Sequence, residues 1–183
     1  MKKEKKIYVL MGASGSGKTT LGNFLKEQGI PEIISHTTRT MREGEVDGVT
    51  YYYVTKDEFD QIEKVEQVEY GGNFYCISKK EIDQKLQEND RIFVICDVNG
   101  MLQVKASYPE ETTVIYISTN LKVMEERMRL RGDTEENIQK RLNYATETNE
   151  LDNGKYADII LENNVLEETK QNLLDIVFGV AIK

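Results

Sequence analysis

The stretch Gly12-Ala13-Ser14-Gly15-Ser16-Gly17-Lys18-Thr19 matches the pattern G-x-x-x-x-G-K-[ST]. It follows an apolar run at residues 7–11 and precedes a helical pattern at residues 19–28. Strand, glycine-rich turn and helix is the context in which this pattern forms a phosphate-binding loop, the P-loop. Its backbone N–H groups point at phosphate oxygens, and the helix N-terminus adds positive potential. The sequence therefore predicts a site for a nucleoside triphosphate.

Individual residues of the loop have expected tasks. We expect Lys18 to reach the β and γ phosphates, and we expect the hydroxyl of Thr19 to be the Mg²⁺ ligand. The predicted triphosphate-binding residues are Gly12, Ala13, Ser14, Gly15, Ser16, Gly17, Lys18, Thr19 and Thr20.

Strand-like and helix-like segments alternate on both sides of the loop, which is typical of a parallel sheet covered by helices. Nearly continuous apolar runs predict strands buried on both faces at residues 7–11, 91–96, 113–117 and 159–161. Helical patterns occupy residues 19–28, 79–88, 121–130, 135–150 and 166–179. We therefore predict an α/β fold of three layers with a parallel central sheet.

Two segments interrupt the alternation. Residues 35–77 are rich in Thr, Tyr, Gly and acids and carry short strand patterns at 50–54 and 67–70, so we expect an inserted β-rich subdomain. Residues 131–136 form a shorter interruption between two helices. No linker divides the 183 residues, and one domain is expected.

The amino-acid composition and the net charge exclude several classes of protein and of binding partner. With 39% hydrophobic and 31% charged residues the chain fits a soluble globular protein, not a disordered, collagen-like or membrane-spanning one. A net charge of -8 argues against nonspecific binding to nucleic acid or anionic membranes. Six of the seven arginines nevertheless fall into two groups, which predicts a small local anion. They are Arg39 and Arg42, then Arg127, Arg129, Arg131 and Arg141.

The cysteines indicate a cellular location. Cys76, Cys96 and the single His36 cannot form the paired spacings of a structural zinc site. We interpret both cysteines as reduced thiols. The basic residues 1–6 are followed by only five apolar residues, so no signal peptide is predicted and a cytoplasmic location is expected.

Asp97 ends an apolar strand pattern and begins the sequence Asp97-Val98-Asn99-Gly100. A carboxylate here can hold Mg²⁺ in a P-loop protein, and D-x-x-G is also a GTPase signature. The GTPase interpretation needs an N-K-x-D element, which the sequence lacks. A helix N-cap or turn is the third interpretation.

The segment from Ser35 to Tyr51 reads S-H-T-T-R-T-M-R-E-G-E-V-D-G-V-T-Y. Two arginines three residues apart, with a serine and a tyrosine nearby, can surround one phosphate with charge-assisted hydrogen bonds. The alternative is a solvated turn in which the arginines pair with Glu43 and Glu45. This segment closely resembles the nucleoside-monophosphate-binding segment of guanylate kinases, and the resemblance extends over nearly the whole chain.

The resemblance implies roles for particular residues. The acceptor phosphate would be held by Ser35, Arg39, Arg42, Tyr51 and Tyr75, with Glu45 as a further substrate-binding residue. Glu66 and Asp97 would accept hydrogen bonds from guanine, although an alignment slip could move the first role to Glu63 or Glu69. The implied catalytic set is Lys18, Arg39, Arg127, Arg131 and Arg141, whereas Arg129 has no counterpart and is expected to be a solvated helix charge.

The resemblance also implies domain boundaries within 1–183. The core would comprise residues 1–34, 78–126 and 142–183. Residues 35–77 would form the nucleoside-monophosphate-binding subdomain, and residues 127–141 would form a short lid.

The sequence departs from the family at the positions where family members form a hydrogen bond to the guanine carbonyl. Guanylate kinases have Gly then Ser or Thr where this chain has Cys76 and Ile77, and Ser78 could substitute only if the strand shifts or bulges. A second family acid is replaced by Ile95, and Leu161-Glu162-Asn163 replaces V-N-D beside adenine. We expect weakened guanine selection, because a lost hydrogen bond to a buried base edge costs about 1–3 kcal/mol.

The function implied is transfer of the γ-phosphoryl group of ATP, with Mg²⁺, to GMP or dGMP. Two alternatives stay open: a related P-loop kinase with another phosphorylated acceptor, and a non-catalytic guanylate-kinase-like binding module. Expected partners are small nucleotides, with neither nucleic acid nor membrane among them. The sequence does not indicate an oligomeric state.

Overall fold

The computed structural model describes residues 4–179. Eight strands and seven helices form within these residues. In chain order they are β1 (Lys6–Met11), α1 (Lys18–Glu27), β2 (His36–Thr37), β3 (Tyr52–Tyr53), α2 (Lys56–Gln61), β4 (Lys64–Tyr70), β5 (Asn73–Ser78), α3 (Lys79–Glu88), β6 (Arg91–Ile95), α4 (Val98–Ser107), β7 (Thr112–Ser118), α5 (Leu121–Leu130), α6 (Glu135–Glu147), β8 (Ile159–Glu162) and α7 (Leu166–Phe178), with a 3₁₀ segment at Glu150–Tyr156 before β8.

The central sheet is parallel, with strand order β6-β1-β7-β8. Val9 of β1 lies opposite Val94 on one side and Val114 on the other. Because a central parallel strand is covered on both faces, it needs apolar side chains at every position. All five residues from Ile7 to Met11 are at most 5% exposed.

Helices cover both faces of this sheet. Ile7, Val9 and Met11 belong to a cluster with side chains from α3 and α4, such as Ile82 and Met101. Tyr8 and Leu10 point the other way, into a cluster with α1 and α7. The alternation along one strand thus builds the three predicted layers, and the predicted α/β class is confirmed.

The β-rich insertion forms a second, mixed sheet with order β3-β2-β5-β4. Strands β4 and β5 form a hairpin whose two-residue turn is Gly71-Gly72, with φ of 59° and 74°. Positive φ at both positions matches the tight turn that follows the twist of a hairpin. The hairpin carries Glu66 and Ile77 on one face, where they pair in register.

The four predicted core strands and five predicted helices all form, with small shifts at their ends. The strand predicted at 50–54 narrows to Tyr52–Tyr53, because Thr50 closes a turn by donating its N–H to the Val46 carbonyl. The helix predicted at 135–150 ends at Glu147 and is followed by the 3₁₀ segment. Helices α2 and α4 were not predicted.

Among the helices within residues 4–179, none is both long enough and apolar enough to span a bilayer.

Candidate active site

The P-loop lies between β1 and α1, as the sequence predicts, and is held against the end of β8. Gly17 has φ of 98°, a conformation that favours glycine, and a Cβ added there would lie 2.3 Å from Nδ2 of Asn163. That Nδ2 donates a hydrogen bond to the Ser16 carbonyl at 2.8 Å, and the Thr119 hydroxyl donates to the same oxygen at 3.0 Å. The close approach explains why a glycine occupies position 17.

Lys18 folds back over the loop. Its Nζ donates to the carbonyls of Gly12 at 2.6 Å and Ala13 at 2.9 Å. Burial lowers the pKa of this ammonium, while Glu150 acts in the opposite direction. The charged group is therefore held within the loop, where phosphate oxygens could replace the two carbonyls.

Three buried side-chain atoms around the loop have no hydrogen-bond partner among the described residues: Ser16 Oγ, Arg127 Nη1 and Asn163 Oδ1. Arg127 Nη1 lies 3.7 Å from the position of a Cβ added to Gly17. Burial lowers the pKa of the Arg127 guanidinium. Leaving the buried Nη1 of a partly exposed cation without a partner is costly, so this arrangement fits an anion bound beside the loop.

The remaining arginines of α5 and α6 differ in their contacts. Arg141 donates from Nη1 to the Ser14 hydroxyl at 2.9 Å, which joins α6 directly to the P-loop. Arg131 pairs with Asp133. Arg129 pairs with Glu125 and Glu135 on the exterior, as expected for a solvated helix charge.

A cavity of about 460 Å³ opens beside the loop. Gly12, Ser14, Lys18 and Arg141 line it, whereas Thr19 and Thr20 are exposed on the first turn of α1. Lys140, Tyr144 and Glu150 also border it, although they carry no local sequence signal for such a role. Its remaining wall consists of Ile95, Cys96 and Asp97.

A second cavity, of about 600 Å³, lies between the mixed sheet and the end of β6. All eight predicted substrate residues line it: Ser35, Arg39, Arg42, Glu45, Tyr51, Glu66, Tyr75 and Asp97. It shares Ile95, Cys96 and Asp97 with the first cavity. Ligands in the two cavities would therefore meet at the carboxyl end of β6.

Arg39 defines the cationic end of the second cavity. It forms a two-pronged ion pair with Glu45, at 2.7 and 3.0 Å, and its guanidinium lies 5.6 Å from the Tyr51 ring centre. Glu45 also accepts the Arg42 N–H at 2.7 Å and the Tyr53 hydroxyl at 2.8 Å. Hydrogen bonds from Arg39 and the Arg42 N–H lower the pKa of Glu45 to about 2.

This geometry refines two interpretations of the sequence. Glu45 is a cavity residue, but its contacts orient Arg39. Tyr53, which was not among the predicted site residues, donates a hydrogen bond to that same Glu45. Its place two residues after Tyr51, on the same side of the chain, was the available signal.

Glu66 and Asp97 define the opposite end of the cavity. Burial, and then the negative charge of Asp97, raise the pKa of Glu66 to about 7. Asp97 Oδ1 accepts the Gly100 N–H at 2.9 Å and caps α4, so the N-cap interpretation is confirmed. The same carboxylate borders both cavities.

Ser78 is not available to replace the missing hydroxyl. It caps α3, where its Oγ accepts the Glu81 N–H at 3.1 Å, and it is 3% exposed. The irregularity of the hairpin falls in β4, between Lys64 and Glu66, so β5 is not shifted. Ile77 therefore faces the cavity.

The two cavities share Ile95, Cys96 and Asp97, so a ligand on the P-loop and a ligand beside Arg39 and Arg42 would occupy adjoining cavities. This arrangement is that of the P-loop nucleoside monophosphate kinases as a class. The guanylate kinase family model matches residues 4–179, and the chain belongs to that family.

Individual proteins similar to this chain support the same family assignment. The guanylate kinase of Fusobacterium nucleatum is 35% identical over 177 residues, covering 93% of this chain and 95% of that protein. The guanylate kinase of Trichodesmium erythraeum is 36% identical, covering 94% and 96%. The crystal structure of guanylate kinase from Anaplasma phagocytophilum superimposes with a TM-score of 0.71 at 27% identity, covering 100% of this chain and 89% of that one.

Proposed function

We propose that this protein is an enzyme that transfers the γ-phosphoryl group of ATP to GMP or dGMP, giving ADP and GDP or dGDP. The observation that carries the proposal is the pair of cavities joined at Asp97, one built on the P-loop and the other on Arg39 and Glu66. Curated relatives named guanylate kinase align with more than nine-tenths of the chain. No observation favours another acceptor or a non-catalytic module.

The transfer needs no general base, because the attacking oxygen belongs to an ionised phosphate. Catalysis then depends on alignment and on neutralising the charge of the transferring group. Lys18 and Arg127 lie beside the loop and would neutralise this charge, together with Arg141, which contacts the loop through Ser14. Arg39, held by Glu45, would orient the acceptor phosphate.

The described residues contain no cluster of three or more His, Cys, Asp or Glu side chains that could hold a metal on its own. Mg²⁺ in kinases is bound largely through phosphate oxygens, so the ion would arrive with ATP. Thr19 would hold the ion through its hydroxyl. When bound, the ion would supply further positive charge to the phosphates.

Guanine fits the carboxylate end of the second cavity. Its N1–H and 2-amino group are adjacent donors, and Glu66 and Asp97 are two acceptors at one end of the cavity. Adenine presents no such pair of donors. Glu66 and Asp97 would thus select the acceptor base.

The domain boundaries are part of this proposal. Residues 35–77 would move as the acceptor-binding unit and residues 127–141 as the lid, against the core formed by the rest of the chain. The contact between Arg141 and Ser14 supports a lid that closes over the P-loop. Closure would exclude water that otherwise hydrolyses ATP. A cytoplasmic location is proposed from the two free cysteines.

A coupled assay of ADP release with GMP, dGMP, AMP, UMP, CMP and phosphosugars tests the proposal. We expect turnover with GMP and dGMP only, and its loss in Lys18→Ala. Turnover confined to another acceptor would refute the guanine assignment. Tight binding of ATP without turnover on any acceptor would instead favour a binding module.

A further inference from the structure

The mixed sheet presents different side chains on its two faces. Tyr51 lines the second cavity, and the next residue, Tyr52, points to the opposite face, because side chains alternate along an extended chain. On this back face the ring of Tyr52 packs against that of its register partner His36, with 4.7 Å between the ring centres. A cavity of about 240 Å³ lies beside them, and Ser78 and Glu81 also line it. The back of the sheet therefore faces the start of α3.

Glu81, in the first turn of α3, contacts both parts of the molecule. Its Oε2 accepts a hydrogen bond from the Tyr52 hydroxyl at 3.0 Å, and its Oε1 accepts the Ile34 N–H at 2.9 Å. The Glu81 N–H donates to the Ser78 hydroxyl at 3.1 Å. Ile34 and Ser78 are the core residues at which the chain enters and leaves the acceptor-binding unit. Glu81, which is 6% exposed, thus joins a strand of that unit to both of its chain connections.

The opposite edge of the mixed sheet has its own attachment to the core. Strands β3 and β4 are the two edge strands of this sheet. Directly before β4, the Glu63 carbonyl accepts the Lys79 N–H of α3 at 2.9 Å. Within β4, Val65 packs against the apolar cluster that contains Met101 of α4. The β4 edge is held by main-chain and apolar contacts, whereas the β3 edge is attached to α3 through the Tyr52 phenol.

The phenol and the carboxylate are suited to a firm hydrogen bond. Burial, and then the negative charge of Glu81, raise the pKa of Tyr52 to about 12, so the hydroxyl keeps its proton and donates it. Hydrogen bonds to an ionised acceptor are stronger than those between neutral groups. Lys85 Nζ lies 3.2 Å from Oε1 of Glu81 and balances its charge.

We propose that Tyr52 and Glu81 are positioning residues for the phosphoryl acceptor. Their hydrogen bond holds the β3 edge, and with it Ser35 and Tyr51, in the orientation toward Asp97 that binds the acceptor. Without the bond the sheet is free to turn about its β4 edge, and apparent acceptor affinity falls with the fraction of molecules in the competent orientation. The P-loop lies in the core and is unaffected. This inference rests on the proposed function and adds to it two residues that line neither ligand cavity.

The test compares Tyr52→Phe with the matched control Tyr108→Phe. Tyr108 also donates to a carboxylate of α3, Asp83 Oδ1 at 2.7 Å, but both of these residues belong to the core. Each variant loses one phenol-to-carboxylate hydrogen bond and keeps its ring, and calorimetry checks that both fold. In Tyr52→Phe we expect KM for GMP to rise about threefold to tenfold, the worth of one hydrogen bond, with kcat and KM for ATP within twofold of the natural enzyme. In Tyr108→Phe all three constants stay within twofold.

The other outcomes are distinct. An unchanged KM for GMP in Tyr52→Phe, or equal increases in the two variants, overturns the inference and leaves the proposed function intact. A parallel rise of KM for GMP and KM for ATP in Tyr52→Phe also overturns it, because that result indicates a general loss of structure. Absence of turnover with GMP in the natural enzyme refutes the proposed function itself, and the inference with it.

Discussion

Glu45 and Glu66 line one cavity, yet their surroundings move their pKa values in opposite directions. Arg39 and the Arg42 N–H lower the pKa of Glu45 to about 2. Burial and the charge of Asp97 raise that of Glu66 to about 7. Glu45 is thus a charged support for Arg39, whereas Glu66, whose carboxylate binds guanine in the proposed function, changes charge near neutral pH.

Acceptor binding should therefore depend on pH. In the proposed acceptor site the Glu66 carboxylate accepts from guanine, and its ionised fraction falls from about one half at pH 7 by a factor approaching tenfold per pH unit below that. We expect kcat/KM for GMP to fall accordingly between pH 7 and pH 5.5. Because GMP itself titrates in this range, the control is Glu66→Gln, whose weaker activity should lack this component. If kcat/KM for GMP depends on pH in the same way in the natural protein and in Glu66→Gln, Glu66 does not take part in base recognition.

Glu66 also has a predicted effect on stability. Its folded pKa is above its ordinary value of 4.5, so its stabilising contribution is complete below pH 4.5 and is lost as pH rises through 7. Glu66→Gln without ligand should melt at a higher temperature than the natural protein at pH 8 and at a similar temperature at pH 4.5. Calorimetry measures both, and a lower melting temperature for the variant at pH 8 would contradict the assigned burial.

Arg141 and Arg129 form a matched pair of arginines. Arg141 contacts Ser14 of the P-loop, while Arg129 pairs with Glu125 and Glu135 outside it. We expect Arg141→Ala to lower kcat by about two orders of magnitude or more with little change in KM for GMP. Arg129→Ala should retain near-normal kcat, because exposed ion pairs contribute about 1 kcal/mol or less. Near-normal kcat in Arg141→Ala would exclude it from catalysis.

At the scale of secondary-structure elements, the contact between the P-loop and β8 gives a further prediction. Gly17→Ala meets Asn163 and adopts a strained φ, whereas Gly29→Ala has a φ of 79° but nothing within 4 Å. Both substitutions carry the strain of a positive φ, of order 1–3 kcal/mol. Only Gly17→Ala should also lose ATP affinity, by tenfold or more in calorimetric titration. Equal ATP affinity in the two variants would show that the close approach does not shape the loop.

Elements differed in how well the sequence predicted them. The core strands were predicted because burial on both faces leaves a continuous apolar signal, as in β1. Helix α4 was missed because Asn99 and Gly100 favour turns. It forms because Asp97 caps it and because it buries Met101 and Val104. Tertiary packing thus overrode local propensity.

The residues of the candidate site also differ in how well the sequence predicted them. The P-loop and the segment from Ser35 to Tyr51 are contiguous, so the sequence and the family resemblance together indicated them. Asn163 and Tyr144 reach the loop and its cavity from distant parts of the chain. A contact made only by folding leaves no local pattern: the resemblance placed Asn163 beside adenine, but its contact with the loop and the role of Tyr144 were not predicted.

At the scale of the whole molecule, the chain carries a net charge of -8, yet arginines line both cavities. Arg39 and Arg42 line one cavity and Arg141 lines the other, in the places proposed for two phosphorylated ligands. Such an arrangement disfavours phosphate polymers and suits small nucleotides.

Closure of the lid and of the acceptor-binding unit should make the molecule more compact. A fully compact chain of this length has a radius of gyration of about 16 Å. In small-angle X-ray scattering, we expect the radius to fall toward this value when both nucleotides bind, and to fall less with either alone. An unchanged radius with both ligands would refute the proposed moving units, residues 35–77 and 127–141.

The most direct test of the central claim follows the phosphoryl group itself. ATP labelled on its γ-phosphate is offered to an equimolar mixture of GMP, AMP, UMP and CMP, and the products are separated by chromatography. The label should appear in GDP, with one ADP formed for each GDP. Label in another nucleoside diphosphate, or in inorganic phosphate alone, would contradict the assignment of this chain as a kinase acting on guanine nucleotides.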